Sequence, residues 1–270
     1  MSEATLGVIG GGVMGEALLS RLIDQGVFGK DRILVSDPSA SRRQFLYETY
    51  GIQVVEDNEV VVQQSHVVLL AVKPQILPKV VEQLKDTIST VRPLLLSILA
   101  GATLHQLTES FVGWSVIRAM PNTPATIGAG ITALSPAEGV TPQQIEQAKQ
   151  IFASVGDVVE VPEHLMDAVT SLSGSGPGYI AVVVESLADG GVAAGLPRAT
   201  ALKLAIQTVK GTAELLQQSG MHPGALKDRV TSPGGTTIAG VAALEAHGLR
   251  SALIRAVQAA CARSKELGQG

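Results

Sequence analysis

Gly10, Gly12 and Gly15 stand in the spacing G-x-G-x-x-G, behind a short β-type run (Leu6, Val8, Ile9) and ahead of an amphipathic pattern (Ala17, Leu18, Leu19, Leu22, Ile23). Glycines at a strand-to-helix turn suit one kind of chemistry. The first permits the tight turn, the second leaves room for a pyrophosphate to approach the backbone, and the third lets the helix pack closely on the strand. The phosphates of a dinucleotide would face the free N–H groups and positive dipole of the helix N-terminus. The bland alternative is an ordinary glycine-rich turn, and the strand before it and helix after it argue against that.

Asp37 lies about 20 residues beyond Gly15, where an acidic side chain can accept hydrogen bonds from the adenosine ribose of NAD. Its neighbours Ser36, Ser39, Arg42 and Arg43 suit instead the 2'-phosphate of NADP, with the arginines as charged clamps. Asp37 also reads as a turn-starting residue before Pro38. The residues leave NADH and NADPH both open. Two further groups, Ser173-Gly-Ser-Gly-Pro-Gly-Tyr179 and Ser232-Pro-Gly-Gly-Thr-Thr237, each precede a helical pattern. Backbone N–H groups and hydroxyls at a helix N-terminus can receive a carboxylate or phosphate, and helix capping alone would account for the same composition. Metal chemistry is not expected: His66, His105, His164, His222 and His247 lack ligand spacing, and the one cysteine, Cys261, cannot build a zinc cage.

The elements that must position these groups alternate through the first part of the chain. Strands are expected at Arg32 to Ser36, Ile52 to Val55, Val67 to Val72, Leu94 to Leu99, Val116 to Met120, Gly130 to Leu134 and Asp157 to Val161. Asp57-Asn58 reads as a capped helix start, and Pro142 to Ser154 as a helix. The apolar run Val67 to Val72 stops at Lys73-Pro74, so the chain leaves the sheet at the carboxyl end of a parallel strand, where ligands bind in open α/β sheets. Lys73 there reads equally as an anion-attracting or a solvated lysine. Pro121-Asn122-Thr123-Pro124 is expected to be a rigid loop. From His164 onward the period becomes helical, with helices near 178–194, 198–218, 223–229, 237–246 and 249–267. The expected architecture is an α/β N-terminal Rossmann-type dinucleotide-binding domain, residues 1–162, followed by an all-α C-terminal domain, residues 163–270.

Composition narrows the class further. Hydrophobic residues make up 46% of the 270 but aromatics only 3%, which suits layers of Val, Leu, Ile and Ala packed over glycine. A net charge of −4, with neither sign gathered in a block, makes nucleic acid an unexpected partner. No apolar run reaches the ~18 residues of a membrane span, no leader precedes the first strand, and a lone cysteine fits a reducing compartment. A cytoplasmic protein without membrane attachment is expected. So few large side chains in the helical half bury little core alone, so a homodimer through that half is expected, with larger assemblies such as a ring of dimers beyond it.

Gly10-Gly-Gly-Val-Met-Gly15, Ala71-Val-Lys-Pro74, Ser97-Ile-Leu-Ala-Gly101, Arg118-Ala-Met-Pro-Asn-Thr-Pro124, Gly174-Ser-Gly-Pro177 and Val230-Thr-Ser-Pro-Gly-Gly-Thr-Thr237 follow one another in an order and spacing that resembles pyrroline-5-carboxylate reductase. The resemblance runs over essentially the whole chain. It implies NADPH- or NADH-dependent reduction of 1-pyrroline-5-carboxylate to L-proline, the last step of proline biosynthesis, by a protein whose helical domain dimerises. It further implies that Ile9, Gly10, Gly11, Gly12, Val13 and Met14 hold the pyrophosphate, that Ser36 lies near the ribose or its 2'-phosphate beside Asp37, and that Asn58 contacts cofactor. Ala71, Val72, Lys73 and Pro74 would line the nicotinamide side, and Ile98, Leu99 and Ala100 would border the ring. Gly235, Thr236 and Thr237 would receive the substrate carboxylate and ring nitrogen, with the Thr237 hydroxyl as the catalytic hydrogen-bonding group. Two rival readings remain at this point: a different reductase on the same scaffold, such as a general imine reductase or a hydroxyacid dehydrogenase, for which Lys203 and Lys210 are the available acid/base candidates, and a dinucleotide-binding regulator without turnover.

Overall fold

Four consecutive apolar side chains cannot alternate between core and solvent, so such a run forms a strand only where both faces of the sheet are covered. The computed structural model, which describes residues 5–268, shows this for β4 (Val67–Leu70), and β1 (Leu6–Ile9), β2 (Ile33–Ser36) and β5 (Leu94–Ser97), each with one Gly or Ser among its apolar residues, are likewise buried along their length. With β3 (Gln53–Val55), β6 (Ser115–Met120), β7 (Gly130–Pro136) and β8 (Gly156–Glu160) they form an eight-stranded sheet ordered β3-β2-β1-β4-β5-β6-β7-β8. Every pair is parallel except β6 with β7, which is antiparallel. The strand order reverses on either side of β1, between β2 and β4. That is the crevice where open α/β sheets bind ligands.

Helices α1 (Val13–Asp24), α2 (Ala40–Tyr50), α3 (Asn58–Gln63), α4 (Leu77–Ile88), α5 (Leu104–Ser110) and α6 (Pro142–Ala153) cover the two faces. One face packs Leu18, Leu19, Leu22, Phe28 and Phe152 into a single buried cluster with the sheet. The other packs Val61, Val80, Leu84, Phe111 and Trp114. Local chemistry sets the boundaries. The Ser39 hydroxyl accepts from Arg42 N to cap α2, Asp57 caps α3, and Thr103 with Gln106 and Thr141 with Gln144 make reciprocal capping boxes at α5 and α6.

Four expectations are corrected. β5 ends at Ser97, two residues before the expected Leu99. β4 ends at Leu70, two residues early: Ala71 still gives its amide to the Ile9 carbonyl of β1, and the chain then leaves the sheet toward the turn at Pro74–Ile76. The Pro121 to Pro124 stretch is not wholly loop: Thr123–Ile127 is a 3₁₀ turn, with Pro124 in its first turn where a missing N–H costs nothing. Ser173 to Tyr179 lies within a helical path rather than ahead of one. After α7 (Met166–Val169), Thr170–Gly174 forms a π-helical turn, closed by Ser175 N to the Thr170 carbonyl at 2.9 Å, and α8 (Gly176–Ala193) follows with Pro177 in its first turn. The glycines and proline that suggest a break are thus tolerated within a helical path.

The chain divides into two compact units. One extends to Ser175 and takes back the chain from Ala260; the other is Gly176–Ala259. The second holds α8, α9 (Arg198–Ser219), α10 (Pro223–Arg229), α11 (Thr236–Ala246) and the first part of α12 (Leu249–Gly268). α8 and α9 pack against each other through Ala188, Ala201 and Ala205, and a Cβ on Gly191 would come within 3.0 Å of the Ala201 methyl. The far part of α12 belongs to the first unit, where Ser264 donates to Asp167 at 2.6 Å. No helix among the described residues is long and apolar enough to cross a membrane. The expected absence of a leader concerns residues 1–4, which lie outside the described residues.

Candidate active site

The glycine loop joins β1 to α1. Gly10 takes φ +101°, and a Cβ there would sit 2.8 Å from the Ala71 carbonyl oxygen, so only glycine fits. A Cβ on Gly15 would lie 2.5 Å from the Gly10 carbonyl oxygen, which is the close helix-to-loop approach the third glycine allows. A Cβ on Gly12 would meet nothing within 4 Å. That open side faces the start of α1, where no side chain caps the first amides, and Val13 is 77% exposed although apolar. Bare helix amides beside open space are a fit for a pyrophosphate.

At the end of β2, Ser36 donates to Asn58 Oδ1 at 2.6 Å, and Asn58 Nδ2 donates to Gln83 at 2.7 Å. Two residues assigned to one ligand region are thus joined directly. Asp37 is fixed by two backbone donors, Gly11 N to Oδ2 at 3.0 Å and Ser39 N to Oδ1 at 2.9 Å. Arg42 donates to the Gly11 carbonyl and pairs with Glu16, its guanidinium 4.9 Å from the Phe45 ring centroid. Arg43 donates to the Asp37 and Pro38 carbonyls and pairs with Glu56 at 2.9 Å. Burial pushes the Glu16 carboxyl up, but hydrogen bonds from Arg42 and Tyr50 and the Arg42 charge outweigh it and hold Glu16 below its ordinary value. Tyr50 is pushed up to about 12 by burial and by its hydrogen bond to Glu16.

A cavity of ≈ 270 Å³ opens at the carboxyl ends of β4, β5 and β6, lined by Met14, Ala71, Val72, Ile98, Met120, Pro121, Asn122, Thr123 and Gly174. It unites three groups that are distant in sequence: the glycine loop, the segment after β4 and the segment after β5. Lys73 and Pro74 are exposed beside it, and no side-chain cap involves Lys73. Ile9 and Leu99 turn their side chains into the core, which leaves only their backbone for a ligand, while Ala100 is exposed. Met120, Pro121, Asn122 and Thr123 carry no role in the sequence reading. Two prolines directly after an apolar strand were the available signal. Asn122 holds this segment by accepting from Ile131 N at 3.0 Å. Upstream, Arg118 is 3% exposed and pairs with Glu163 at 2.7 Å, and the same carboxylate oxygen accepts from Leu104 N at 3.0 Å.

In the helical unit, α11 begins at Thr236 with Gly235 as its cap residue, and no side chain caps its first turn. Gly235 gives its own N–H to the Ser232 carbonyl at 3.0 Å. The uncapped donors are therefore those of Thr236, Thr237 and Ile238, not the Gly235 amide. Thr236 is exposed and Thr237 half-buried. Among the described residues no cluster of His, Cys, Asp or Glu could hold a metal ion.

Residues 163–267 match the family model described as pyrroline-5-carboxylate reductase dimerisation, and residues 5–101 match one described as NADP oxidoreductase, coenzyme F420-dependent. The chain is similar to the pyrroline-5-carboxylate reductase of Synechocystis, 56% identical over 264 residues and 98% of each chain. It is 45% identical to that of Arabidopsis thaliana over 98% of this chain and 95% of the relative. Among solved structures it is similar to the pyrroline-5-carboxylate reductase of Coxiella burnetii, with TM-score 0.93, 36% identity and 98% of each chain covered. The Plasmodium falciparum enzyme with NADP bound is similar at TM-score 0.88 and 32% identity over 99% of each chain.

Proposed function

From the premise that the chain belongs to the pyrroline-5-carboxylate reductase family, we propose how its residues divide the work of reducing 1-pyrroline-5-carboxylate. The reaction is the last step of proline biosynthesis and draws on NADPH or NADH. The cofactor, when bound, supplies hydride to the imine carbon, and the protein binds, orients and excludes water.

Gly10 to Met14 hold the pyrophosphate, supported by the open side of Gly12 and the uncapped start of α1. Ser36, Asp37 and Asn58 attend the adenosine ribose, supported by the Ser36–Asn58 hydrogen bond at the end of β2. Ala71 to Pro74 and Ile98 to Ala100 line the nicotinamide, supported by the cavity that Ala71, Val72 and Ile98 share with Met14. Thr236 and Thr237 receive the substrate carboxylate on their amides, with Gly235 shaping the turn by its bond to Ser232. The Thr237 hydroxyl orients the ring nitrogen. Because iminium character already makes the carbon electrophilic, no strong protein acid is required.

The observation that carries this reading is the uncapped first turn of α11, preceded by a turn in which the Gly235 amide is already given to the Ser232 carbonyl. The helical region self-associates, in keeping with its match to a dimerisation model. We place the functional division between residues 162 and 163, where that match begins, and read the assembly as a cytoplasmic homodimer, with a ring of dimers as a further state, that engages neither nucleic acid nor membrane. The test follows NADPH and NADH oxidation by purified protein with racemic pyrroline-5-carboxylate, and with a 2-keto acid as control. Turnover with the imine alone is expected; turnover with the keto acid alone would assign the chain to hydroxyacid chemistry. Failure with both, from protein that binds a cofactor, would favour the non-catalytic regulator.

A further inference from the structure

The end of β2 gathers two arginines and three carboxylates. Both arginines are committed to the protein itself: Arg42 to Glu16 and the Gly11 carbonyl, with its face on Phe45, and Arg43 to Glu56 and the carbonyls of Asp37 and Pro38. Asp37 is held in one orientation by the Gly11 and Ser39 amides. An ionised carboxylate is acceptor-only, so what remains of Asp37 can take hydrogen bonds from the hydroxyls of a ribose and can give none to a phosphate. A 2'-phosphate carries about −1.5 to −2 charges near neutral pH and needs donors with unspent charge.

We propose that this cluster makes the enzyme discriminate against the 2'-phosphate, so that NADH is its preferred cofactor, with Asp37 as the discriminating residue and Glu56 keeping Arg43 from serving as a phosphate clamp. The proposal rests on the reading that the glycine loop binds a nicotinamide dinucleotide. A 2'-phosphate meets the Asp37 carboxylate at the position where the ribose of NADH would be welcomed. The two nearby cations do not offset that, because each is already matched by a carboxylate. Glu16 and Tyr50 support the same arrangement from behind, the tyrosine donating to Glu16 at 2.8 Å while Arg42 pairs with the other carboxylate oxygen.

The test is equilibrium binding, by isothermal titration, of NADH and NADPH to the wild-type protein and to Asp37→Ser, Asp37→Asn and Glu56→Gln. The adenosine halves 5'-AMP and 2',5'-ADP are titrated in parallel, so that the result does not depend on turnover. Wild-type protein is expected to bind NADH about tenfold or more tightly than NADPH, with the same order between the two adenosine halves. Asp37→Ser should bring that ratio to unity or below by tightening NADPH. Glu56→Gln should move it in the same direction by less, through release of Arg43. Asp37→Asn keeps the side-chain shape and the acceptor for Gly11, and should lower the ratio through loss of charge alone, which guards against a misfolded serine variant. Equal or tighter binding of NADPH by the wild type, or an unchanged ratio in both folded Asp37 variants, would overturn the proposal while leaving the reductase intact. Binding of neither cofactor would overturn the dinucleotide reading beneath it.

Discussion

In the sheet-bearing unit Leu18, Leu22, Val67, Leu69 and Phe152 are sealed from solvent on one face of the sheet and Val61, Leu84 and Phe111 on the other, whereas the residues buried in the helical unit are Ala188, Ala201 and Ala205. Leu202, Leu204, Ile206, Leu215, Leu253 and Ile254 lie open there, Ile254 at 58% exposure. A domain of that size rarely holds itself together on three buried alanines. The small side chains do one thing well, bringing α8 and α9 close enough that Gly191 admits no Cβ without displacing Ala201. The large ones are spent on the outward faces. One region is built to be finished by its own chain, the other by a second copy, which agrees with the match of residues 163–267 to a dimerisation model.

That contrast breaks most easily at the outward face. Ile206→Asp combined with Ile254→Asp should raise the dissociation constant of the assembly by about 10³-fold, because each places an unpaired charge in the interface. Sedimentation should then show monomers with a less cooperative melt. Val112→Asp, at an equally exposed apolar site of the sheet unit, should leave the sedimentation profile unchanged; if it dissociates the assembly as well, the contrast is misplaced. Inside the sheet, Leu69→Ala should cost about 2–5 kcal/mol in chemical unfolding, with no dependence on protein concentration. Leu204→Ala in the helical unit should instead give a loss that shrinks as concentration rises.

Thr237→Ala tests the helical unit's chemistry rather than its packing. It should lower kcat by about 10² to 10³ with the melting temperature unchanged, and an unaltered kcat would remove Thr237 from the mechanism. The glycine loop sharpens the comparison further. Gly10→Ala should destabilise by about 1–3 kcal/mol, since φ +101° and the Ala71 carbonyl both reject a side chain. Gly12→Ala should leave stability within about 0.5 kcal/mol, because the space it enters is open, while weakening cofactor binding if the proposed pyrophosphate site lies there.

The smallest effect is expected with pH. A tyrosine raised from 10.0 to about 12 stabilises the folded state fully below pH 10 and loses that contribution as the pH climbs toward 12. Tyr50→Phe should therefore flatten the alkaline decline of stability between those values, read from melting curves across that range.

How much of this was legible beforehand depends on what each residue had to do. Runs such as Val67 to Leu70 declare a two-faced buried strand by composition alone, and Gly10, Gly12 and Gly15 declare their turn by spacing. α4 was not expected, and its Pro78 falls in the first turn, where it removes no hydrogen bond. α2, ASRRQFLYETY, buries only Leu46 and offers little apolar periodicity. At Ser173 to Tyr179, Pro177 likewise falls in a first helical turn. At the site, composition marked the turn before α11 but could not say that the Gly235 amide would be taken by Ser232. Nor could it place Asn122 and Met120 beside Ala71 and Ile98, since that proximity exists only once β4, β5 and β6 lie side by side.

The return of α12 to the first unit has a temporal consequence. Ser264 reaches Asp167, and Leu267 packs beside Gly101, on the loop that borders the proposed nicotinamide site. Both are translated long after the sheet. During synthesis, when earlier segments generally begin to fold before later ones emerge, the cofactor platform can form its strands but must wait for nearly the whole helical unit before this loop is closed over. A chain halted on the ribosome between Ser175 and Ala260 would therefore lack the partners that Asp167 and the loop at Gly101 have in the finished chain.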